Sequence, residues 1–402
     1  MMASIAFPAR WLQACATTVT CMVLTVAVTA AEPAPLGPGA DRLVWFGTYT
    51  NGPAKSEGIY VSRFDAATGK LTAPVLAAAA KNPSFLALHP TLPVLYAVGE
   101  VSGADGKPMG GILSFGLDGA TGQLAIKNSQ PSGGAGPCHV SVDRTGRVVL
   151  AANYSGGSVI CLGLAPDGSL QPVVSGTPGG FIQHEGKSVN PQRQEKPHGH
   201  SIYPSPDGRF AIACDLGIDK VLVHSLDVEK ATLAPHSAAA AQPGAGPRHF
   251  TFHPHGRFAY CVNELDLTVT AFAFDPQAGT LTAIQTLSTL PDDVTDRKGF
   301  STAEIVAHPG GKFLYASNRG HDSIAMYAVD TDSGRLAFLG VEPIRGNTPR
   351  NFVLDPSGRF LLAAGQNSDT VTVFAIDHET GRLGFTGQSL DVPSPVCIRF
   401  LP

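Results

Sequence analysis

Short apolar bursts separated by Gly-, Pro- and Asp-rich turns run through the chain from about residue 43 to its end. In PRHFTFHPHGRFAYCVNELDLTVTAFAFDPQAGTLT (247–282) and the residues after it, this pattern predicts four strands, over 248–253, 258–263, 268–275 and 281–290. The third, TVTAFAFD, alternates with a period of two, as a strand with two unlike faces does. Close copies of the segment start at Pro349 and Ala303, and looser ones at Pro83, Pro137 and Pro197. A seventh starts near Leu43 without its first strand. A strand-and-turn repeat of roughly 46–60 residues indicates a propeller or a solenoid.

The two ends of the pattern decide between them. The closing segment PSPVCIRFL (393–401) reads as a first strand without a blade, which is the piece that the Leu43 copy lacks. Pairing the two closes a ring and hides its sheet edges. The expected fold is all-β: a seven-bladed β-propeller with four antiparallel strands per blade, over residues 42–402. The turns agree. Pro206-Asp207-Gly208-Arg209 and Pro356-Ser357-Gly358-Arg359 supply a fixed φ and then a positive one. Asp65–Leu71, Asp118–Leu124, Asp330–Leu336 and Asp377–Leu383 read as hairpin loops with a left-handed Gly.

The repeat also separates scaffold from site. First-strand entrances and second-strand exits lie at one end of an antiparallel pair, so in every blade they ring one mouth of the channel. Entrances carry His139, His198, His200, Arg248, His249, Glu304, Arg350 and Asn351. Exits carry Glu100, Asn153, Tyr154, Asp215, Asn263, Glu264, Asn318, Arg319, Gln366 and Asn367. Asn153, Asn263, Asn318 and Asn367 recur and read as turn caps. His89, His253, His255 and His308 read as surface or turn residues, and Arg209, Arg257, Arg335 and Arg359 as solvated. His200, Arg248, Glu264 and Arg319 break the common pattern and are the candidate catalytic residues. His139, Tyr154, His198, His249, Asn263, Glu304, Arg350 and Gln366 are the candidate substrate-binding residues. An insertion at 176–197, without apolar periodicity, leads into His198 and is expected to lie over this mouth as a lid or specificity loop.

Composition narrows the partners. The 45 Gly and 32 Pro fit many short strands, and a net charge of −4 without a basic run argues against nucleic acid. Residues 1–30 read as a secretory signal: Arg10 is the single charge, an apolar stretch follows over 11–31, and Val28-Thr29-Ala30 suits cleavage. Cleavage there leaves 372 residues (402 − 30) with charge −5, a linker at 31–41, and an exported protein without a membrane anchor. Five Cys then remain (Cys138, Cys161, Cys214, Cys261, Cys397), an odd number without metal-ligand spacing, and they read as free buried thiols. No metal site or cofactor is expected, and the absence of a G-x-S-x-G elbow disfavours a serine nucleophile.

The segments GAGPRHFTFHPHGRFAYCVNEL (244–265), NPQRQEKPHGHS (190–201), STAEI (301–305), FLYASNRGHDSIAMY (313–327) and FLLAAGQNSDTV (360–371) resemble the 6-phosphogluconolactonase family of propeller lactonases, which is related to carboxymuconate cyclases. The resemblance spans about residues 42–402. It implies a lactonase site of His200, Arg248, Glu264 and Arg319. Val306 stands where the family often has His. The implied reaction is hydrolysis of 6-phosphoglucono-1,5-lactone or of an unphosphorylated aldonolactone. His200 or Glu264 serves as general base. Arg248 and Arg319 polarise the carbonyl or clamp an anionic group, with Arg350 as a third cation. A lactonizing cyclase and a non-catalytic propeller that binds a sugar acid or a protein are the alternatives.

Overall fold

The computed structural model describes Met1 and residues 41–102, 108–173 and 179–401. The expected signal segment, the linker up to residue 40 and the side chain of Glu100 fall outside the described residues. The first strand begins at Asp41, one residue before the expected boundary.

The described residues form seven four-stranded antiparallel sheets. Blade 1 joins Asp41–Thr48, Gly58–Asp65 and Val75–Ala79 to the C-terminal Pro395–Phe400. Blade 2 is Leu86–Leu88, Val94–Ser102, Pro108–Leu117 and Leu124–Pro131; blade 3 is Pro137–Val142, Val148–Asn153, Ser158–Gly163 and Phe181–Gln183. Blade 4 is Gly199–Pro204, Phe210–Asp215, Lys220–Asp227 and Thr232–Ala240; blade 5 is Pro247–Phe252, Phe258–Asn263, Thr268–Asp275 and Thr280–Ser288. Blade 6 is Ser301–Ala307, Phe313–Arg319, Ser323–Val329 and Leu336–Pro343; blade 7 is Pro349–Leu354, Phe360–Gly365, Thr370–Ile376 and Leu383–Asp391. The first-named strand of blades 2–7 and the C-terminal strand of blade 1 are innermost, and each touches the next around the ring. The C-terminal strand closes it by pairing Val44 with Phe400 and Phe46 with Ile398.

Burial follows this order. Second strands such as FAYCVN in blade 5 are buried throughout, because a neighbouring blade covers each face. Fourth strands such as TLTAIQTLS are half exposed. Core side chains such as Phe272, 1% exposed, each contribute about 1.5–3 kcal/mol by leaving water.

The recurring residues turn out to be blade-to-blade fasteners. Tyr260 and Tyr315 donate hydroxyl hydrogen bonds to Gly334 O (3.2 Å) and Gly381 O (2.9 Å) in the next blade's hairpin loop. Phe258 and Phe313 press their rings onto those same glycines, where a Cβ would meet them at 2.5 and 2.2 Å. Of the turn histidines, His89, His253 and His308 are buried with both ring nitrogens hydrogen-bonded, while His255 is exposed. His253 Nε2 donates to Gly311 O of the next blade at 2.8 Å, which leaves Nδ1 to accept His255 N at 3.2 Å. His308 and His89 repeat the arrangement. The turn arginines are not merely solvated: Arg257 reaches Thr331 O at 3.2 Å, and Arg209 and Arg359 reach Pro276 O and Ala66 O.

One irregularity recurs at the innermost strands. Pro247 pairs with Asn263 and His249 with Val262, so Arg248 is an extra residue, a β-bulge. The same slip leaves out Cys138, His200, Arg350 and Val396 in blades 3, 4, 7 and 1. In blade 6 it falls between Thr302 and Ile305. The residue after each bulge turns to the neighbouring inner strand instead. Ser201 bonds Arg248 O, His249 bonds Glu304, Glu304 bonds Asn351, and Asn351 accepts Ile398 N.

The insertion is not all loop. Its Phe181–Gln183 pairs with Ser158–Ile160 as the outer strand of blade 3, so the expectation of an irregular segment over 176–197 is corrected there. Residues 174–178 lie outside the described residues. From His184 onward it crosses blade 4, tied by His184 Nδ1 to Asp215 (2.7 Å), Ser188 to Asp219 (2.5 Å) and Gln194 to Leu216 O (2.9 Å).

Two glycines separate backbone strain from blade contact. Gly208 and Gly381 both have positive φ (73° and 70°), but nothing lies within 4 Å of a Cβ on Gly208. Gly208→Ala is expected to cost about 1–2 kcal/mol for the left-handed backbone, and Gly381→Ala a further 1–3 kcal/mol or so for displacing the Phe313 ring. Urea unfolding checks this; equal losses would contradict the proposed fastener.

Candidate active site at the channel mouth

A cavity of about 350 Å³ opens where the inner strands begin. That is within the range of small-molecule sites. The bulges explain what lines it. His200 and Arg350, each left out of register, point into the channel with Cys138 and share the wall with Tyr49, Tyr154, Glu264 and Arg319. Arg248 is bulged too, but it lies beneath, 1% exposed.

Glu264 is the centre of charge. Its backbone N donates to Gly246 O at 2.7 Å, which sets it just past the second strand of blade 5. Arg193 Nη2 meets Oε1 at 2.5 Å, while Arg248 Nε and Arg319 Nη2 meet Oε2 at 2.9 and 3.0 Å. Burial alone would raise this carboxyl, yet Arg319, Arg248 and Arg193 together hold it far below the usual carboxylate range. Both oxygens are committed and the group has little basicity. The three arginines are fixed in turn. Arg248 Nη1 donates to Ala303 O (2.6 Å), Arg319 Nη2 to Thr302 O (2.7 Å), and Arg193 Nη2 to Tyr154 Oη (3.2 Å). Burial, with Arg248 and Arg350 nearby, brings Arg319 down to about 10, so it stays charged at neutral pH.

His200 is 4% exposed and held well below its ordinary pKa by burial and by Arg248, so its ring is neutral. Its Nε2 faces Glu264 Oε2 at 4.0 Å and its Nδ1 faces Cys138 Sγ at 3.8 Å. Burial pushes the Cys138 thiol up to about 12, so it keeps its proton. The Cys138 thiol donates to His200 O at 3.2 Å, so its proton is committed to the backbone. Arg350 lies over the Tyr49 ring, 5.4 Å from its centroid, and among the described residues it makes no ion pair or hydrogen bond.

Several expected binding residues do not reach this cavity. His139, His249 and Glu304 stand at or beyond the bulge, and one residue of slip turns them between the inner strands. His139 packs between Phe85 and Tyr203, with ring centroids 4.4 Å from each. His249 bonds Glu304 at 2.8 Å below the cavity. His198 stacks on Tyr154 and bonds Tyr154 O (3.1 Å) and Glu195 (3.2 Å), so it braces the wall from behind. Asn263 spends its amide on Thr268 and Thr270, the turn-capping role of its repeat position. Gln366 does not line the cavity either; its backbone N bonds Thr348 O in the blade 7 turn. Sequence reasoning missed Arg193, Tyr49, Asn82 and Ser84 on the wall. Arg193 lies in the insertion, which was expected over this mouth, but no periodicity singles it out. Among the described residues no cluster of three or more His, Cys, Asp or Glu is arranged to hold a metal ion.

The family described as "Lactonase, 7-bladed beta-propeller" matches residues 43–400. The chain belongs to this family of seven-bladed propeller lactonases, and it is a hydrolase that acts on lactones. It is 40% identical over 357 residues to a 6-phosphogluconolactonase of Bacillus subtilis (strain 168), covering 89% of this chain and 97% of that one. A 6-phosphogluconolactonase of Formosa agariphila is 32% identical over 302 residues, covering 73% and 81%. The structure of the Pseudomonas aeruginosa periplasmic gluconolactonase PpgL superposes with a TM-score of 0.82 at 37% identity, covering 90% of this chain and 99% of that one.

Removing the carboxylate should leave three guanidiniums facing one another. Glu264→Gln is expected to destabilise the protein by about 3–5 kcal/mol at pH 7. Because the folded pKa of Glu264 lies below the unfolded one, its contribution is complete above about pH 4.3 and is lost as pH falls below it. Urea unfolding at pH 7 and pH 3 should therefore show a smaller gap between variant and wild type at pH 3. A variant within about 1 kcal/mol of wild type at pH 7 would contradict this.

Proposed function

We propose that the protein hydrolyses an acidic sugar lactone, 6-phosphoglucono-1,5-lactone, to the open-chain acid at this mouth. The charge balance carries the reading. Among the described residues, Arg193, Arg319 and Arg350 line the cavity with one carboxylate, Glu264, an excess of two positive charges (3 − 1), and Arg248 beneath is paired with that same carboxylate. Such a site attracts an anionic substrate and steadies the negative charge that builds on the carbonyl oxygen during attack. The names of the B. subtilis and F. agariphila relatives support this substrate.

In this reading Arg350 is the oxyanion partner; its stacking over Tyr49, without an ion pair among the described residues, supports the role. The neutral His200 ring lines the same cavity and contacts the substrate in this reading. Arg248, Arg319 and Glu264 hold the geometry and the field, and Tyr154 shapes the wall. Glu264 takes no proton in this reading, because three guanidiniums consume its lone pairs.

Two observations favour a second reading, an unphosphorylated gluconolactone. The signal-like residues 1–30 imply export, and a relative 37% identical is named a periplasmic gluconolactonase. Steady-state rates on the two lactones separate the readings. The phosphorylated lactone is expected to give at least about tenfold higher kcat/KM at low salt, with the ratio narrowing as salt screens the mouth. Equal kcat/KM at all salt concentrations would favour the plain lactone. Arg350→Ala is expected to lower kcat about 10²-fold on whichever lactone is turned over; unchanged kcat would remove Arg350 from its role.

A further inference from the structure

Directly under the cavity lies a niche of about 10 Å³, room for one water molecule. It shares Tyr49, Ser84, Cys138, His200 and Arg350 with the cavity above, and His249 and Arg248 form its floor and side. His249 has a fixed tautomer. Its Nδ1 is 2.8 Å from Glu304 Oε1, and that carboxylate also accepts from Ile305 N (3.0 Å) and from Asn351 Nδ2. An acceptor-only carboxylate keeps the imidazole proton on Nδ1, so Nε2 carries the lone pair. This Nε2 is buried and has no hydrogen-bond partner among the described residues. His200, by contrast, turns Nε2 toward Glu264 Oε2, 4.0 Å away.

We propose that His249 is the general base of the lactonase reaction, that its water is held in this niche, and that Glu304 is its positioning residue. This rests on the lactone-hydrolysis reading above. The water oxygen forms a bond to the lactone carbonyl carbon while one of its protons passes to His249 Nε2. The carbonyl electron pair moves onto the oxygen beside Arg350. That pair then returns, the bond from the carbonyl carbon to the ring oxygen breaks, and the ring oxygen takes up the proton. One water is consumed, one ester bond is opened, and nothing is oxidised or reduced.

The groups that face His249 are the Phe85, His139 and His200 rings, the Glu304 carboxylate, and the charges of Arg248 and Arg350. Burial brings the imidazole down to about 4 against the pull of Glu304, with Arg248 and Arg350 adding to the fall. The base form is therefore present at neutral pH, and activity is lost only as pH drops toward 4.

The test uses the full chain, with both lactones as substrates, and two variants. His249→Gln removes the basic nitrogen. Glu304→Gln keeps the ring in place but lets an amide N–H face Nδ1, which moves the proton to Nε2. Each is expected to lower kcat by about 10²-fold or more with KM within about threefold, and His249→Gln should abolish the acid limb in what activity remains. A role confined to tying blades 5 and 6 together would lower the melting temperature and leave kcat and the pH profile of the folded fraction alone. That result overturns the proposal, as does wild-type kcat in either variant. If His249→Gln does not fold, the kcat of Glu304→Gln decides by itself. Wild-type protein inert on both lactones would instead overturn the substrate reading, and this proposal with it.

Discussion

One extra residue near the start of an inner strand is the constraint on which the site depends. A regular strand turns successive side chains to opposite faces. The bulges at Cys138, His200, Arg248, Arg350 and Val396 break that alternation at one level of the channel, and all five side chains border the niche. The residues that follow are freed to bond across to the next blade. Among the described residues the inner strands of neighbouring blades share no backbone ladder, and these side-chain ties join them around the hole. Site and seam are thus made by one backbone device.

Charge then fixes what the mouth does. Three arginines from the insertion, blade 5 and blade 6 converge on Glu264, and the pairing is satisfied at both oxygens. A carboxylate held this way organises the arginines rather than accepting protons. The pairing leaves a positive excess with Arg350 uncommitted, and the Arg350–Tyr49 stack keeps that cation facing the cavity. Preorganised charge of this kind needs no rearrangement when negative charge develops on a substrate.

The blades were legible because repetition is written into the chain. The P-x-G-R/K turns, the hairpin glycines and the bladeless strand at 393–401 dictated the ring, and each has its expected place. The four residues that break the repeat, His200, Arg248, Glu264 and Arg319, do come together. What the sequence did not show was orientation. A bulge leaves no mark on composition, so His139, His249 and Glu304 were assigned to the cavity when a one-residue slip turns them away. Arg193 was hidden for another reason: it reaches Glu264 from 71 residues away through an insertion that has no counterpart in other blades. Asn263 shows the reverse case, in which a recurring residue does the recurring job.

This mouth, with Glu264 locked and Arg350 free, is the proposed place where the lactone is opened. A crystal structure with bound 6-phosphogluconate or gluconate tests it most directly. The product carboxylate is expected beside Arg350 and His200, above the niche, with Arg193, Arg248 and Arg319 still closed on Glu264. Product seated at the opposite end of the channel, or Glu264 released from its arginines to touch the product, would contradict it.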